Sequence, residues 1–379
     1  MDVRPLAARL IGFDTSKGEG LHAAANFIAD WLREAGIAVE QRTHNDLPLL
    51  VAEVGSKGGP EILWHGHLDV VPARAGQFEP RLDGDRLIGR GAYDMKGALA
   101  AMLWALRDLA AEAAPVHVRL VCVADEESED VRQRATDALV AEGLRADFAI
   151  TGEPTDLQIG IEAKGVLALR VALAGTAAHG STPWLGDNAI LKAYDAFRAI
   201  ETLPFSRASS EMFDRPSINL ARIAGGDAFN KVPDACWIDV DIRYLPDQSP
   251  EEILAEIDGL GGFSVERRLH RAPASVSRSD PHVLALREAV ARCAATDVLS
   301  VGRDGASDAI SFIEAGVPAV EFGPVGGGHH GPAEWVSVDS LTQYRQALRD
   351  FVAVLPRRLQ QGERPGLRAI EGGAREAIN

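Results

Sequence analysis

Residues 61–69 read EILWHGHLD, a short apolar run followed at once by two histidines and an aspartate. An apolar run this short, broken by polar residues, reads as a buried strand rather than a helix. In open α/β sheets ligands bind beyond the carboxyl ends of the strands, which is where His65, His67 and Asp69 fall. The arrangement recurs along the chain. VHVRLVCV (116–123) leads into Asp125-Glu126-Glu127, DFAIT (147–151) into Gly152-Glu153-Pro154, and PAVEF (318–322) into a glycine run and His329-His330. One further acid, Asp94, stands in GRGAYDMKG (89–97) just ahead of a helix.

Outward from these strands, LLVAEV (49–54) adds another, and helical periodicity covers 3–12, 22–35, 97–112, 131–142, 282–295, 306–315 and 337–354. Alternation of this kind predicts an α/β domain, a mixed sheet with helices on both faces. The middle of the chain has another texture. A strand at 166–174 is followed by a helix at 187–201, strands at 217–224 and 235–244, a helix at 250–258 and a strand near 262–269. That order suits a ferredoxin-like α+β unit. It is read as an insertion over 166–275 that divides the larger domain into 1–165 and 276–357. Past Leu355 the apolar pattern lapses, so fraying is expected there, with 358–379 a flexible tail.

A chain of 379 residues with 46% hydrophobic and 25% charged residues is globular and long enough for two cores. Its 39 basic and 55 acidic residues leave a net charge of −16 with no basic stripe, a field that repels polyphosphate, so nucleic acid is not an expected partner. Surplus carboxylates are expected where several gather around bound cations. Cys122, Cys236 and Cys293 lie far apart, which suggests neither a disulfide framework nor a thiolate metal site. With no signal-like start and no apolar run approaching about 18 residues, the expected location is the cytoplasm, with no membrane partner.

Imidazole and carboxylate donors together suit zinc or a similar divalent ion, and several carboxylates allow one to bridge two ions. A single histidine at a strand end is ordinarily structural and a Glu pair ordinarily surface, but four strands ending in ligand types are hard to assign to chance. His67 and Asp69, two apart on an extended segment, point the same way, so the Asp69 carboxylate can accept from the imidazole and orient it. Glu126 and Glu127 are adjacent and diverge, one suited to a metal and its neighbour to the water beside it. Water acidified by a cation attacks near neutral pH once a carboxylate takes its proton, and hydrolysis follows.

HGHLDVVP, GRGAYDMKG, ADEES, TGEPT, GTAAHGSTP and EFGPVGGGHHGPAE, taken in this order and spacing, resemble the di-zinc amidohydrolase and peptidase family of acetylornithine deacetylase, succinyl-diaminopimelate desuccinylase, aminoacylase and glutamate carboxypeptidase. The resemblance runs from residue 1 to about 355. It implies a zinc-peptidase-like catalytic domain with an inserted lid and dimerisation domain, and two divalent ions, zinc first, with cobalt or manganese as alternatives. His67, Asp94 and Glu153 would hold one ion, and Asp94, Glu127 and His330 the other, with Asp94 as the bridge. Glu126 would be the general base, Asp69 the support of His67, and His179 an oxyanion donor presented across a homodimer. Asn230, Arg243 and Lys164 would approach the substrate.

The implied reaction is hydrolysis of an N-acyl amino acid amide, with a dipeptidase or glutamate-type carboxypeptidase as the alternative. Departures from the desuccinylase pattern bear on the substrate. Ala163-Lys164-Gly165-Val166 stands where that pattern has Arg-Arg-Gly-Ser, Ala306 stands at a Thr position, and Gly326 to Gly328 replace more polar residues. Each lost charge-assisted bond costs about 1.5–3 kcal/mol, which disfavours a long dicarboxylate. Ser128-Glu129-Asp130 either favours a cationic leaving amine or forms a solvated loop. His65 is read as structural. His329 is an alternative to His330, and the spacing to Glu334 favours His330.

Overall fold

The computed structural model describes residues 2–112, 114–128, 133–294, 298–305 and 307–362. The strands of the first half are β1 (Val39–His44), β2 (Leu47–Val54), β3 (Glu61–His67), β4 (Arg81–Asp83), β5 (Arg86–Ile88), β6 (His117–Val123), β7 (Phe148–Thr151) and β8 (Ile159–Ala163). Next come β9 (Gly165–Ala174), β10 (Ser217–Gly225), β11 (Ala235–Tyr244), β12 (Ser264–Arg271) and β13 (Ala274–Ser275). The last are β14 (Ser300–Arg303), β15 (Ala319–Glu321), β16 (Gly326–Gly327) and β17 (Trp335–Ser337). The helices are α1 (Arg4–Ile11), α2 (Gly18–Arg33), α3 (Gly97–Glu112), α4 (Ala135–Ala141) and α5 (Ala189–Ile200), then α6 (Pro250–Asp258), α7 (Pro281–Cys293), α8 (Ala309–Glu314) and α9 (Val338–Gly362).

The main sheet is mixed, in the order β1-β2-β6-β3-β7-β15-β8-β13 with β14 also on β8. Alternation along β3 explains its apolar run: Ile62 and Trp64 join the core beneath α3 and α9, while Leu63 packs on the opposite face with Leu139 of α4 and Phe312 of α8. A strand covered on both faces has no polar side to show. α3 is buried nearly all round, and its small residues Ala98, Ala101 and Ala105 fit the space between sheet and helices.

Register decides what happens at the strand ends. β3 runs parallel to β6 with His67 opposite Val123, and parallel to β7 with His65 opposite Thr151. The three strands therefore stop nearly level, and the residues that follow each one emerge at the same edge.

A separate four-stranded antiparallel sheet, β10-β11-β9-β12, carries α5 and α6. Ala193, Phe197 and Ile200 of α5 and Ile253 and Ile257 of α6 bury against Leu169, Val171, Ile238 and Val240, a core of its own. Its entry and exit lie side by side, because Ala163 at the end of β8 pairs with Ala274 on β13. A third small sheet, β16-β17-β5-β4, flanks the Asp94 turn.

The expected fraying after Leu355 is corrected: α9 continues through Pro356 to Gly362. Leu355 is fully buried, Leu359 packs on the core, and Arg358 donates to Glu288 of α7 at 2.7 Å, with Arg357 on the same carboxylate. These contacts outweigh the one backbone bond a proline removes. Residues 363–379 lie outside the described residues, as do Ala306, Glu129 and Asp130. Among the described residues no helix is long and apolar enough to cross a membrane.

Candidate metal centre

The level ends of β3, β6 and β7 bring His67, the Glu126-Glu127 pair and Glu153 to one edge. Asp94 reaches the same place from the irregular turn Ala92–Lys96 that opens α3. Glu334 shapes that turn. Its buried carboxylate accepts the N–H groups of Tyr93 and Asp94 on one oxygen and that of Gly91 on the other, each at 3.0 Å, and also the Arg90 guanidinium at 2.5 Å. Arg90 in turn donates to the carbonyl of His330 at 2.9 Å. One ion pair thus joins the Asp94 turn to the histidine loop.

The two oxygens of Asp94 face different partners. Oδ1 lies 3.0 Å from His67 Nε2, while Oδ2 lies 2.5 Å from His329 Nε2 and 3.5 Å from His330 Nε2. His330 Nε2 is also 3.0 Å from Glu127 Oε1. Glu153 Oε1, 4.0 Å from His67 Nε2, is buried and has no hydrogen-bond partner. Burial pushes the Glu153 carboxyl well above its ordinary range, and Asp94 nearby pushes it further. Burial works against ionisation of Asp94 as well, yet its contacts with His329, His330 and His67 hold it well below the usual carboxylate range. A cluster of acids and imidazoles with an unpaired buried oxygen is what a divalent cation satisfies. Among the described residues two such groups lie within coordination distance, His67 with Asp94 and Glu127, and Asp94 with His329 and His330.

Asp69 differs from expectation in the atom it uses. His67 Nδ1 is 2.9 Å from the Asp69 backbone carbonyl, whereas the carboxylate stands 3.5 Å off and instead accepts the Glu127 N–H at 2.7 Å. The carbonyl fixes the imidazole tautomer with Nε2 facing Asp94, and the side chain ties β3 to the loop after β6.

Glu126 turns away from Glu127 and accepts Arg134 Nη1 at 2.9 Å. Arg134 also donates to Asp308 at 3.2 Å, and the fully buried Asp308 takes the Thr136 hydroxyl and lies 3.2 Å from His65 Nε2. Burial, reinforced by Asp308 and Glu127 against the pull of His67 and Arg134, pushes the Glu126 carboxyl up to about 8. His65 is thereby placed in a structural network.

The remaining candidates lie elsewhere. His179 is exposed on the small-sheet unit, with Nδ1 2.8 Å from the Ser181 hydroxyl and a backbone bridge to Lys231. Asn230 is beside it, its carbonyl accepting the Gly180 N–H at 2.7 Å. Arg243 on β11 is held by the Asp241 carboxylate at 3.1 Å. The buried Lys164 donates to the Arg215 carbonyl and pairs with Asp304, both at 2.7 Å, where the chain passes from β8 into β9. Sequence reasoning missed the clamp made by Arg90 and Glu334, although both stand in the quoted motifs, and it missed Arg134, which no motif marks.

The profile of peptidase family M20/M25/M40 matches residues 63–354. A putative succinyl-diaminopimelate desuccinylase of Mycobacterium tuberculosis is 35% identical over 274 residues, spanning 69% of this chain and 73% of its own. Acetylornithine deacetylase of Klebsiella pneumoniae is 32% identical, spanning 68% of this chain and 69% of its own. Among solved structures, aminopeptidase PepT of Bacillus cereus and the metallo-carboxypeptidase Sso-CP2 of Sulfolobus solfataricus each share the fold with a TM-score of 0.78 at 20% identity. Each match covers 94% of this chain, and 98% and 100% of the respective neighbours. Fold and site define a metal-dependent hydrolase acting on amides. The chain belongs to peptidase family M20/M25/M40.

Proposed function

We propose that the protein hydrolyses the amide of an N-acyl amino acid, releasing a carboxylate and a free amine, with two divalent cations, zinc by preference and cobalt or manganese as substitutes. The observation that carries this reading is Asp94, whose oxygens face two separate donor groups, His67 with Glu153 and His330 with Glu127. When bound, the cations supply Lewis acidity to a water and to the scissile carbonyl.

The chain's own groups do the rest. Glu126 takes the proton from the attacking water and returns it to the leaving nitrogen. Arg134 occupies one oxygen of Glu126 and leaves the other free for that proton. His179 and Asn230, from the unit read as lid and dimerisation domain, would meet the oxyanion and the substrate carboxylate, with Arg243 as a further donor. In this reading Lys164 sets the entry to the lid through its bond to Arg215. Leu191 and Tyr194, three apart on α5 and both well exposed, with Trp184 and Leu185 just before the helix, offer a second copy an apolar surface. Three free cysteines suit a reducing compartment, the cytoplasm.

Turnover of acetylornithine, succinyl-diaminopimelate and simple dipeptides by the zinc-loaded enzyme tests the proposal. Acetyl substrates should react fastest. Activity confined to dipeptides would overturn the deacylase reading and leave the peptidase one, which the same centre also suits.

A further inference from the structure

Neighbouring side chains on an extended backbone point to opposite sides. His329 and His330 do not. Their ring centroids are 4.2 Å apart, and both Nε2 atoms face the same oxygen of Asp94, at 2.5 Å and 3.5 Å. The cause is a tight turn. The Gly331 N–H donates to the Gly328 carbonyl at 2.7 Å, Gly328 has φ +74° and His330 itself has φ +56°. A left-handed conformation in a non-glycine residue is strained, and such strain persists where the surroundings enforce it. Here the enforcement is visible: Arg90 holds the His330 carbonyl from the far side, and the Tyr93 ring stands edge-on to His329 at 6.4 Å between centroids.

Both imidazoles are about half exposed, so neither ring is turned inward by the need to bury apolar surface. One ring nitrogen of His329, one of His330 and an Asp94 oxygen lie together within the span of one coordination shell. This inference rests on the two-cation reading above. We propose that His329 is an additional ligand of the ion held by Asp94, Glu127 and His330, and that it retains that ion when His330 is removed. The loop is then a pair of interchangeable donors, and the ion gains a nitrogen ligand beyond the three donors that the motifs mark.

The test is metal content and affinity of the purified protein, alongside the variants His329→Ala, His330→Ala and the double variant. Zinc per chain is measured by atomic emission after equilibration with a zinc buffer, and the visible absorption of the cobalt-loaded forms reports ligand number. Expected are two ions per chain in the wild type, and retention of the second ion in either single variant with affinity lowered roughly 10- to 100-fold, the range typical of a weakened metal site. The double variant should keep one ion. His329→Ala, half exposed in a turn, should fold normally and provides an independent reading should His330→Ala fold poorly. An unchanged second-ion affinity and cobalt spectrum in His329→Ala overturns the proposal while leaving the two-cation reading intact. A wild type that holds fewer than two ions overturns both.

Discussion

Arg134 donates to Glu126 across 2.9 Å from eight positions further along the chain, and the same guanidinium reaches Asp308 at 3.2 Å. The acid assigned the proton transfers is thereby fastened to a buried network that includes Thr136 and His65. A bond to a charged donor contributes about 1.5–3 kcal/mol, so Arg134→Ala should lower kcat roughly 10- to 100-fold. KM and bound metal should stay nearly constant, and added guanidine should restore part of the rate. Wild-type kcat in the variant would refute the positioning role.

Glu126→Gln keeps the shape and removes the base. General acid–base catalysis contributes about 10²–10⁴-fold, and turnover should fall by that factor. Metal content should hold, because Glu126 contacts Arg134 while Glu127 faces His330. Loss of metal together with activity would show that Glu126 is a ligand instead.

Glu334 accepts three backbone N–H groups and the Arg90 guanidinium in a site where both side chains are almost fully buried. Breaking a buried pair from one side costs about 3–5 kcal/mol. Urea unfolding of Glu334→Ala should show a loss of that size, with weaker cation binding because the Asp94 turn loses its clamp. A loss below about 1 kcal/mol would mean that water replaces the carboxylate.

Lys96 donates to the Phe13 carbonyl from a buried position, and burial, partly countered by Glu334 and Asp14, lowers its ammonium to about 7. Below about 7 both folded and unfolded chains carry the proton; between there and 10.5, the ordinary value, only the unfolded chain does. Stability therefore gains from this residue as pH rises, by up to about 1.4 kcal/mol per unit. Lys96→Met should flatten the curve between pH 7 and 9 relative to wild type. Parallel curves would show that the ammonium stays charged when folded.

If α5 meets a second copy, Leu191→Glu combined with Tyr194→Glu should yield a monomer in sedimentation velocity while the fold, judged by circular dichroism, is retained. A dimer that survives both changes uses another face.

Parallel strands made much of the fold and centre readable in advance. EILW, VHVRLVCV and DFAIT are buried on both sides and so stand out as apolar runs, and strands in register must deliver the residues after them to a common edge. β1 escaped notice because VEQRTH lies at the sheet's edge and faces solvent. The strands β4, β5, β16 and β17 are too short to show a period. The part of α9 beyond Leu355 is not legible in the apolar pattern because its last turns rest on Glu288, a partner some 70 residues away in the chain.

By itself, the sequence determined the supply of donors and their place after strands, since short-range apolar pattern and residue type are local properties. Only the tertiary structure decided which atoms meet. Asp69 turns its carbonyl rather than its carboxylate to His67, Glu334 ties its own loop to the Asp94 turn through one carboxylate, and both His329 and His330 face Asp94. Those outcomes depend on φ angles and on long-range hydrogen bonds, and their energies exist only once distant segments have packed.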